Sequence, residues 1–597
     1  MINLTPTENG YVILDFKYSE YIIDILKKIV PNECRKYQYD THKWMVRSDY
    51  LPAFVSELGL YNFATEDEYL YKMLNSGTQR RIENTKERLR HVSLIRDMNF
   101  KTNPLPHQIE GFNCGIGFKQ FLIADDPGLG KTKVALDAAV WRKSRKLIRK
   151  CLIVCCVNST KYNWQSEIGI HTNEKCVIFD QHTPKKREEA ILQWENDDTF
   201  FGIINIESIR PKNITRKTIN ALVSCKLKPE YADMNPTLKH LNRIADMVIV
   251  DEVHKCKNAT TKQGVALRQL TPAYRLALSG TPMTNKVDDL WNIMKWLGAY
   301  NGNYWQYRSQ FCIMGGFNNK EIAAYKNLEV LSKMLRNYML RRRKEEVLDL
   351  PPKIHMTEFV ELSRDERKRY EVAKTGIIEK LSNPETGDVE AKSQSALTTI
   401  LRLRQVSDGL DIDTGEPVDT KDNAKLNRVV DLLEEQIIPG GKKAIIFSNW
   451  ETVTNMYYDA LKAYHPAYIV GRVSPEDRQK EVERFQNDPA CKVAIGTIGA
   501  MGTGLTMTAA EYVIFVDKNW NETDNIQAED RAYRIGTEKN VTVISMVAKD
   551  TIDERVERAL KEKAALFHQV IDNRMEVTNM ATTQETGEYL LGLREEL

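Results

Sequence analysis

Short apolar runs rich in β-branched residues alternate with helical patterns in two separate stretches of the chain. In the first stretch this pattern predicts strands at Phe121–Ala124, Leu152–Val157, Gly202–Ile206, Met247–Val250 and Arg275–Leu278. In the second it predicts strands at Ala444–Phe447, Ala467–Val470, Val493–Gly496, Tyr512–Val516 and Val541–Met546. None of these runs alternates strictly between apolar and polar, which suits parallel strands buried on both faces. Helices between them complete βαβ units with right-handed crossovers. The fold class that follows is α/β: two tandem lobes with parallel sheets.

Elsewhere the pattern changes. Ser363–Ser382 and Ala391–Val406 read as amphipathic helices without partner strands, separated by the turn-rich Asn383–Val389. They predict a helical insertion at 360–410. Asp289–Gly298 and Glu321–Leu340 predict further helical material at the end of the first lobe. Near the N-terminus, Tyr11–Phe16, Arg35–Tyr39 and Lys43–Val46 read as strands around a helix at Ser19–Ile29, with another helix near Leu51–Leu58. The expected organisation is a small α+β module at 1–76, a linker at 77–102, lobes at 103–340 and 341–565, and a tail at 566–597.

Composition narrows the class. The chain has 597 residues, 42% apolar and 28% charged, with a net charge of +3. This excludes a mostly disordered chain and a histone-like polycation. Any nucleic-acid contact must come from local clusters, and one stands at 77–102. There Arg80, Arg81, Lys86, Arg88, Arg90, Arg96 and Lys101 outnumber Glu83, Glu87 and Asp97, a net +4. No apolar run approaches the roughly 20 residues that span a bilayer, and Met1–Gly10 lacks the features of a signal peptide. Ten cysteines form no C-x-x-C pair, so the expectation is a reduced compartment with no structural metal. That compartment is the cytoplasm of a bacterial or phage-infected cell, or the nucleus of a eukaryote, with no membrane partner.

Four segments carry chemistry. Ile123–Thr132 (IADDPGLGKT) runs from a strand through a glycine-bearing loop into a helix, as phosphate-binding loops do. Lys131 is positioned to neutralise the β/γ-phosphates of a nucleotide, and Thr132 to place its hydroxyl on Mg²⁺. The strict pattern requires glycine at 125, where this chain has Asp125. Met247–His254 (MVIVDEVH) is a strand ending in two acids: Asp251 is read as a holder of Mg²⁺ and Glu252 as the group that deprotonates the attacking water. His254 is read as a relay. Ser279-Gly280-Thr281, after another strand, supplies hydroxyls that can sense the acid pair. Gln527–Gly536 places Arg531 and Arg534 three residues apart, which predicts one helix face presenting two arginine fingers.

Together these segments resemble the engine of helicase superfamily 2, specifically its Snf2 family of double-stranded DNA translocases. The resemblance covers roughly residues 100–560. It extends to a Q-like motif at Leu105–Gln108, motif Ia at Cys151–Glu167, motif III at Leu278–Asn285 and a lobe-joining segment at Arg341–Lys353. Motif IV corresponds to Ile445–Trp450, motif V to Thr497–Ala509 and motif VI to Gln527–Gly536. Asp125 is normal for the family, whereas Pro127 stands where methionine is usual and Thr503 interrupts a usual glycine pair. Gln-Ala-Glu-Asp-Arg at 527–531 resembles the annealing-helicase branch, and the N-terminal module with Trp44 resembles that branch's accessory domain.

The resemblance implies two RecA-like lobes, with ATP and Mg²⁺ as cofactors. It implies an ATP site at Gln108, Asp125, Asp126, Pro127, Gly128, Leu129, Gly130, Lys131 and Thr132, with Gln527 beside the catalytic groups. It places the tracking DNA strand along Asn158, Ser159, Asn205, Ser448, Asn449, Trp450, Thr497 and Thr503. Such contacts are phosphate-directed and sequence-independent. The expected partner is double-stranded, forked or branched DNA, remodelled or annealed in replication, recombination or repair. A strand-separating helicase, a remodeller of protein–DNA complexes, an RNA-directed enzyme and a non-enzymatic ATP-dependent clamp stand as alternatives.

Overall fold

In the computed structural model, the described residues are 2–7, 11–16, most of 19–47, 51, 63–64, 100–382 and 400–571, with short gaps inside the last two ranges. Ser159, Asn285, Thr503, most of the basic stretch 77–102, the turn at 383–389 and nearly all of the segment 566–597 lie outside the described residues.

The N-terminal residues form one mixed sheet of β1 (Ile2–Pro6), β2 (Tyr11–Asp15), β3 (Arg35–Gln38), β4 (Lys43–Arg47) and β5 (Phe63–Ala64). Its order is β3-β4-β2-β1-β5, antiparallel except for the β1–β5 pair. Ile2, Leu4, Val12, Leu14, Leu26, Val30 and Val46 form its core. β1 escapes the apolar pattern because only two of its five residues, Ile2 and Leu4, are buried.

The first large sheet contains β6 (Gln120–Ile123), β7 (Cys151–Cys155), β8 (Cys176–Ile178), β9 (Phe201–Asn205), β10 (Met247–Asp251) and β11 (Tyr274–Leu278). An antiparallel hairpin of β12 (Cys312–Gly315) and β13 (Glu321–Tyr325) follows, and β14 (Met339–Leu340) then returns to pair with β6. Thus Glu321–Leu340, expected as helical material, is helical only at Leu328–Arg336, a correction. The run Ile322–Tyr325 is apolar enough for either state, and a pairing partner at Cys312–Gly315 selects the strand. Among the described residues the sheet order is β14-β6-β11-β10-β7-β9-β8, all parallel.

Alternate side chains of each strand enter opposite cores. Leu122, Leu152, Val154, Ile204 and Val250 face one apolar cluster, while Ile123, Ile153, Ile203 and Ile249 face the other. Burial on both faces is the physical reason these strands read as unbroken apolar runs.

The second sheet contains β15 (Lys353–Val360), β16 (Ala444–Ser448), β17 (Ala467–Ile469), β18 (Val493–Thr497), β19 (Tyr512–Phe515) and β20 (Val541–Ala548). Its order is β15-β20-β19-β16-β18-β17, again all parallel. β15 is an edge strand whose Ile354, Met356 and Phe359 are exposed, so it carries no buried-strand signature. Residues 341–352 cross between the sheets.

A second connection runs back. The helix Ile552–Phe567 begins in the second lobe, where Ile552, Val556 and Leu560 pack against Tyr370 and Leu403. Beyond its end, Val570 and Ile571 are buried in a core cluster of the first lobe. The Arg341 guanidinium lies 5.5 Å from the Phe567 ring centroid. All ten cysteines are free thiols. Among the described residues, no helix is long and apolar enough to cross a membrane.

Candidate active site

Three of the four chemical segments emerge at the carboxyl ends of the adjacent strands β6, β11 and β10, the edge where open parallel sheets bind ligands. After β6 the chain enters the glycine loop, and the helix Lys131–Ser144 begins immediately behind it. Gly128 and Gly130 have φ of +88° and +81°, which a side chain would strain. At Gly130 there is no room either: a Cβ would stand 2.2 Å from Gln108 Nε2. Gln108 thus supports the loop, donating to Leu129 O at 3.3 Å and accepting from Leu105 N at 3.0 Å. Pro127 lies on Gly280, where a Cβ would meet its ring at 2.7 Å. Lys131 Nζ folds over the loop and donates to the carbonyls of Asp125 and Asp126 at 2.8 and 3.1 Å. Burial lowers its pKa, opposed by Glu252, Asp125, Asp126 and Asp251. Thr132 is half-buried at the second residue of the helix.

The unexpected Asp125 has a structural explanation. Its carboxylate is buried and receives both Nε and Nη2 of Arg342, while Arg342 Nη1 reaches His107 O. Arg341 binds the next acid, Asp126, at 2.7 Å and also the carbonyls of Ala124 and Gly280. The phosphate loop is therefore clamped by the segment that joins the lobes. Restoring the strict pattern with Asp125→Gly removes the buried carboxylate partner of Arg342 and leaves it only the exposed Glu110, 3.3 Å from Nη1, as an acid. The expected cost is about 3 kcal/mol of stability, read as a lower melting temperature, with recovery in Asp125→Gly/Arg342→Met.

At the end of β10, Asp251 accepts from Trp164 Nε1 at 2.9 Å and from the Glu252 amide at 3.0 Å. Burial next to Glu252 pushes the Asp251 carboxyl up to about 6. For Glu252 burial also acts upward, but His254, Lys131 and Lys255 outweigh it and hold the carboxyl below its usual range. Of the pair, Asp251 is therefore the first to take up a proton as pH falls, and Glu252 stays ionised. Glu252 adopts φ +50°, a left-handed conformation that costs on the order of 1 kcal/mol in a non-glycine residue and is characteristic of functional turns. His254 Nδ1 lies 2.9 Å from Ser279 Oγ and 3.2 Å from Glu252 Oε2, and Ser279 Oγ also accepts from the Thr281 amide. Ser279 and His254 therefore connect the ends of β11 and β10. Thr281 Oγ1 is buried and takes no hydrogen bond among the described residues.

The donor set suits Mg²⁺. Thr132 offers a hydroxyl and Asp251 a carboxylate; burial, and then the Glu252 charge, raise the Asp251 pKa, and a hard cation offsets both. Among the described residues no three His, Cys, Asp or Glu side chains form a metal cluster. Mg²⁺ typically takes only one or two protein ligands beside phosphates and water.

The second lobe meets this edge. Gln527 Nε2 is 3.5 Å from Glu252 Oε1, and Lys255 Nζ is 3.6 Å from Asp524. A Cβ on Gly128 would lie 3.2 Å from Arg534 Cγ, so Arg534 borders the phosphate loop. Arg534 Nη1 donates to Thr506 Oγ1 at 3.0 Å and Arg531 Nη1 to Leu505 O at 3.2 Å. One expectation is corrected here: the helix is Glu522–Glu529, and both arginines lie in the turn beyond it. The Arg531 carbonyl accepts from Met507 N and the Tyr533 carbonyl from Lys344 Nζ, contacts that replace a continuing helix.

The residues assigned to DNA separate into two groups. Asn158 is exposed and Thr497 half-buried at the end of β18. Ser159 and Thr503 lie outside the described residues, and Asn205, Ser448, Asn449 and Trp450 have partners within the fold. Asn205 caps the helix Ile206–Ile209 by accepting from Glu207 N at 2.7 Å, and Ser448 and Asn449 both bind Asp517. Trp450 is half-buried and packs against the second lobe's core. Trp164, Arg341, Arg342 and Lys344 are the site residues without an assigned role in the sequence.

Comparison with known proteins identifies the family. Residues 37–411 match the SNF2-related domain and residues 424–536 the helicase conserved C-terminal domain. The chain is 27% identical over 506 residues to the putative ATP-dependent helicase/translocase YwqA of Bacillus subtilis, covering 81% of this chain and 50% of that one. It is 27% identical over 513 residues to the uncharacterized ATP-dependent helicase MG018 of Mycoplasma genitalium, covering 84% and 45% respectively. The chain spans about half the length of the curated relatives it matches. Among solved structures, the Sulfolobus solfataricus SWI2/SNF2 ATPase core in complex with dsDNA is 25% identical, with a TM-score of 0.35, over 81% of this chain and 95% of that one.

Proposed function

The chain belongs to the SNF2-related family, and on that premise we propose that it is an ATP- and Mg²⁺-dependent translocase acting on duplex or branched DNA. One observation carries the reading: the phosphate loop and the Asp251–Glu252 pair of one sheet face Gln527, Arg531 and Arg534 of the other. In this mechanism loop amides and Lys131 cradle the β/γ-phosphates at a helix N-terminus. Thr132 and Asp251 would hold Mg²⁺, which would screen phosphate charge when bound. Glu252 accepts the proton of the attacking water, and Arg531 and Arg534 stabilise charge on the transferred phosphoryl group. His254 and Ser279 transmit the state of the acid pair between strands. Repeated approach and separation of the lobes moves the chain along one DNA strand through phosphate contacts.

The decisive measurement is the ATPase rate with single-stranded, duplex, forked and four-way DNA and with RNA. Stimulation by duplex or branched DNA is expected, falling with added salt. Stimulation by RNA alone would overturn the substrate assignment.

Fork or branch remodelling is the more specific activity we assign, with residues 1–95 as its structure-sensing part. Deleting 1–95 is expected to leave duplex-stimulated ATPase largely intact while impairing fork regression, followed as strand exchange in a gel. Unchanged fork regression would leave a plain translocase, and loss of all ATPase would make the module part of the engine.

A further inference from the structure

Lys344 stands where the two lobes' ATP-facing segments meet. Its backbone N–H donates to Asp126 Oδ2 of the phosphate loop at 3.0 Å. Its side chain, only 5% exposed, places Nζ 2.6 Å from Asp530 Oδ1 and 2.6 Å from the Tyr533 carbonyl, both in the segment that carries Arg531 and Arg534. A Cβ on Gly128 would lie 3.7 Å from the same Nζ. One ammonium therefore borders both an acid of the second lobe and the glycine loop of the first. Burial lowers the Lys344 pKa against the pull of Asp530, so the charge persists here only with anions beside it.

We propose that Lys344 is a positioning residue whose ammonium is shared between Asp530 and the nucleotide phosphates, so that ATP competes with Asp530 for it. The inference rests on the reading of the loop as the ATP site. Three facts converge on it. The pair joins elements 186 residues apart in sequence and is buried at both ends. The amine sits beside the loop whose amides would meet phosphate. Lys344 is also tied through Asp126 to that loop, so filling the loop and gripping the Arg531–Arg534 turn act on one side chain. A buried pair that served stability alone would respond alike to loss of either partner, because each loss strands a charge. Competition predicts opposite responses.

The test is equilibrium binding of a fluorescent ATP analogue to the full chain, with steady-state ATPase and thermal melts alongside. Lys344→Met is expected to weaken ATP binding about tenfold, the loss of one charge-assisted contact. Asp530→Asn releases the ammonium to phosphate and is expected to tighten binding by about threefold while lowering kcat, because the arginine turn loses its tie. Lys344→Met/Asp530→Asn strands no buried charge and should bind ATP as weakly as Lys344→Met. If Lys344→Met does not fold, this double variant decides alone, and wild-type affinity in it refutes the proposal. Affinity changes of the same sign in the two single variants also refute it, as does unchanged affinity in Lys344→Met. Absence of ATP binding by the unmodified chain would overturn the ATP-site reading itself. Binding that Lys131→Ala abolishes but Lys344→Met leaves untouched would overturn the sharing alone.

Discussion

Glu252→Gln is expected to bind ATP and to lose turnover by about three orders of magnitude, the range removed with a general base. The substitution preserves size, and the backbone at this position already holds its left-handed φ of +50° with a full side chain. What changes is charge. The carboxylate is kept ionised by His254, Lys131 and Lys255 despite burial, and an amide cannot accept the water's proton. Removing a negative charge close to the phosphates also lowers repulsion, so affinity should hold or rise slightly. Lys131→Ala provides the contrast, since its ammonium lies over the loop and its loss should abolish nucleotide binding together with turnover. Single-turnover kinetics with radiolabelled ATP, paired with filter binding, separate the two outcomes. Wild-type hydrolysis by Glu252→Gln would show that another group serves as the base.

Five strands of each large sheet are legible in the sequence because their side chains are buried on both faces; the half-buried β8 and the two-residue β14 are not. Cys151–Cys155, and Ala444–Ser448 up to its last residue, leave no polar position to blur the run. β15 is not legible, since it has one neighbour and exposes Ile354, Met356 and Phe359, which reads as an amphipathic segment of uncertain type. The phosphate loop and Asp251–Glu252 are equally legible because their chemistry is local: a few consecutive residues at a strand end. The clamp on that loop is not. Arg342 meets Asp125 across 217 residues of sequence, and only the pairing of β14 with β6 brings them together. An acid inside a phosphate loop was nonetheless a signal, because a buried carboxylate demands a cation, and the run Arg341–Lys344 supplies four.

Polar residues near strand ends show the opposite failure. Asn205 and Ser448 have the right chemistry for phosphate contacts, but helix starts and buried carboxylates use the same donors and acceptors. Asn205 follows a strand and precedes a helix, where asparagine is a preferred N-cap. Its local role was available from sequence and competes with the assigned one. Arg531 and Arg534 illustrate a third limit. A spacing of three fits a helix face, yet tertiary hydrogen bonds to the carbonyls of Arg531 and Tyr533 end the helix before either arginine.

That ending bears on how the arginines act, and on what their removal should do. Arg531 is half-buried near Arg534, and desolvation followed by the neighbouring guanidinium brings its pKa down to about 10. It remains charged at neutral pH, so two like charges are held together next to the phosphate loop at a cost that an anion between them would offset. Glu252 is the acid of the first lobe whose charge Arg531 senses. A group placed by a turn, with its backbone carbonyl fixed by Met507, can be aimed at phosphate without relying on a helix face. Arg531→Ala and Arg534→Ala are each expected to slow ATP turnover by about a thousandfold, as removal of an arginine finger does. DNA binding should survive in both, because neither side chain lies among the strand-end positions assigned to the DNA. Arg531→Lys should recover only part of the rate, since lysine keeps the charge but loses the planar fork. The comparison requires ATPase rates at saturating DNA beside a direct DNA-binding titration. Normal ATPase with weakened DNA binding in both alanine variants would move this turn from the nucleotide to the DNA.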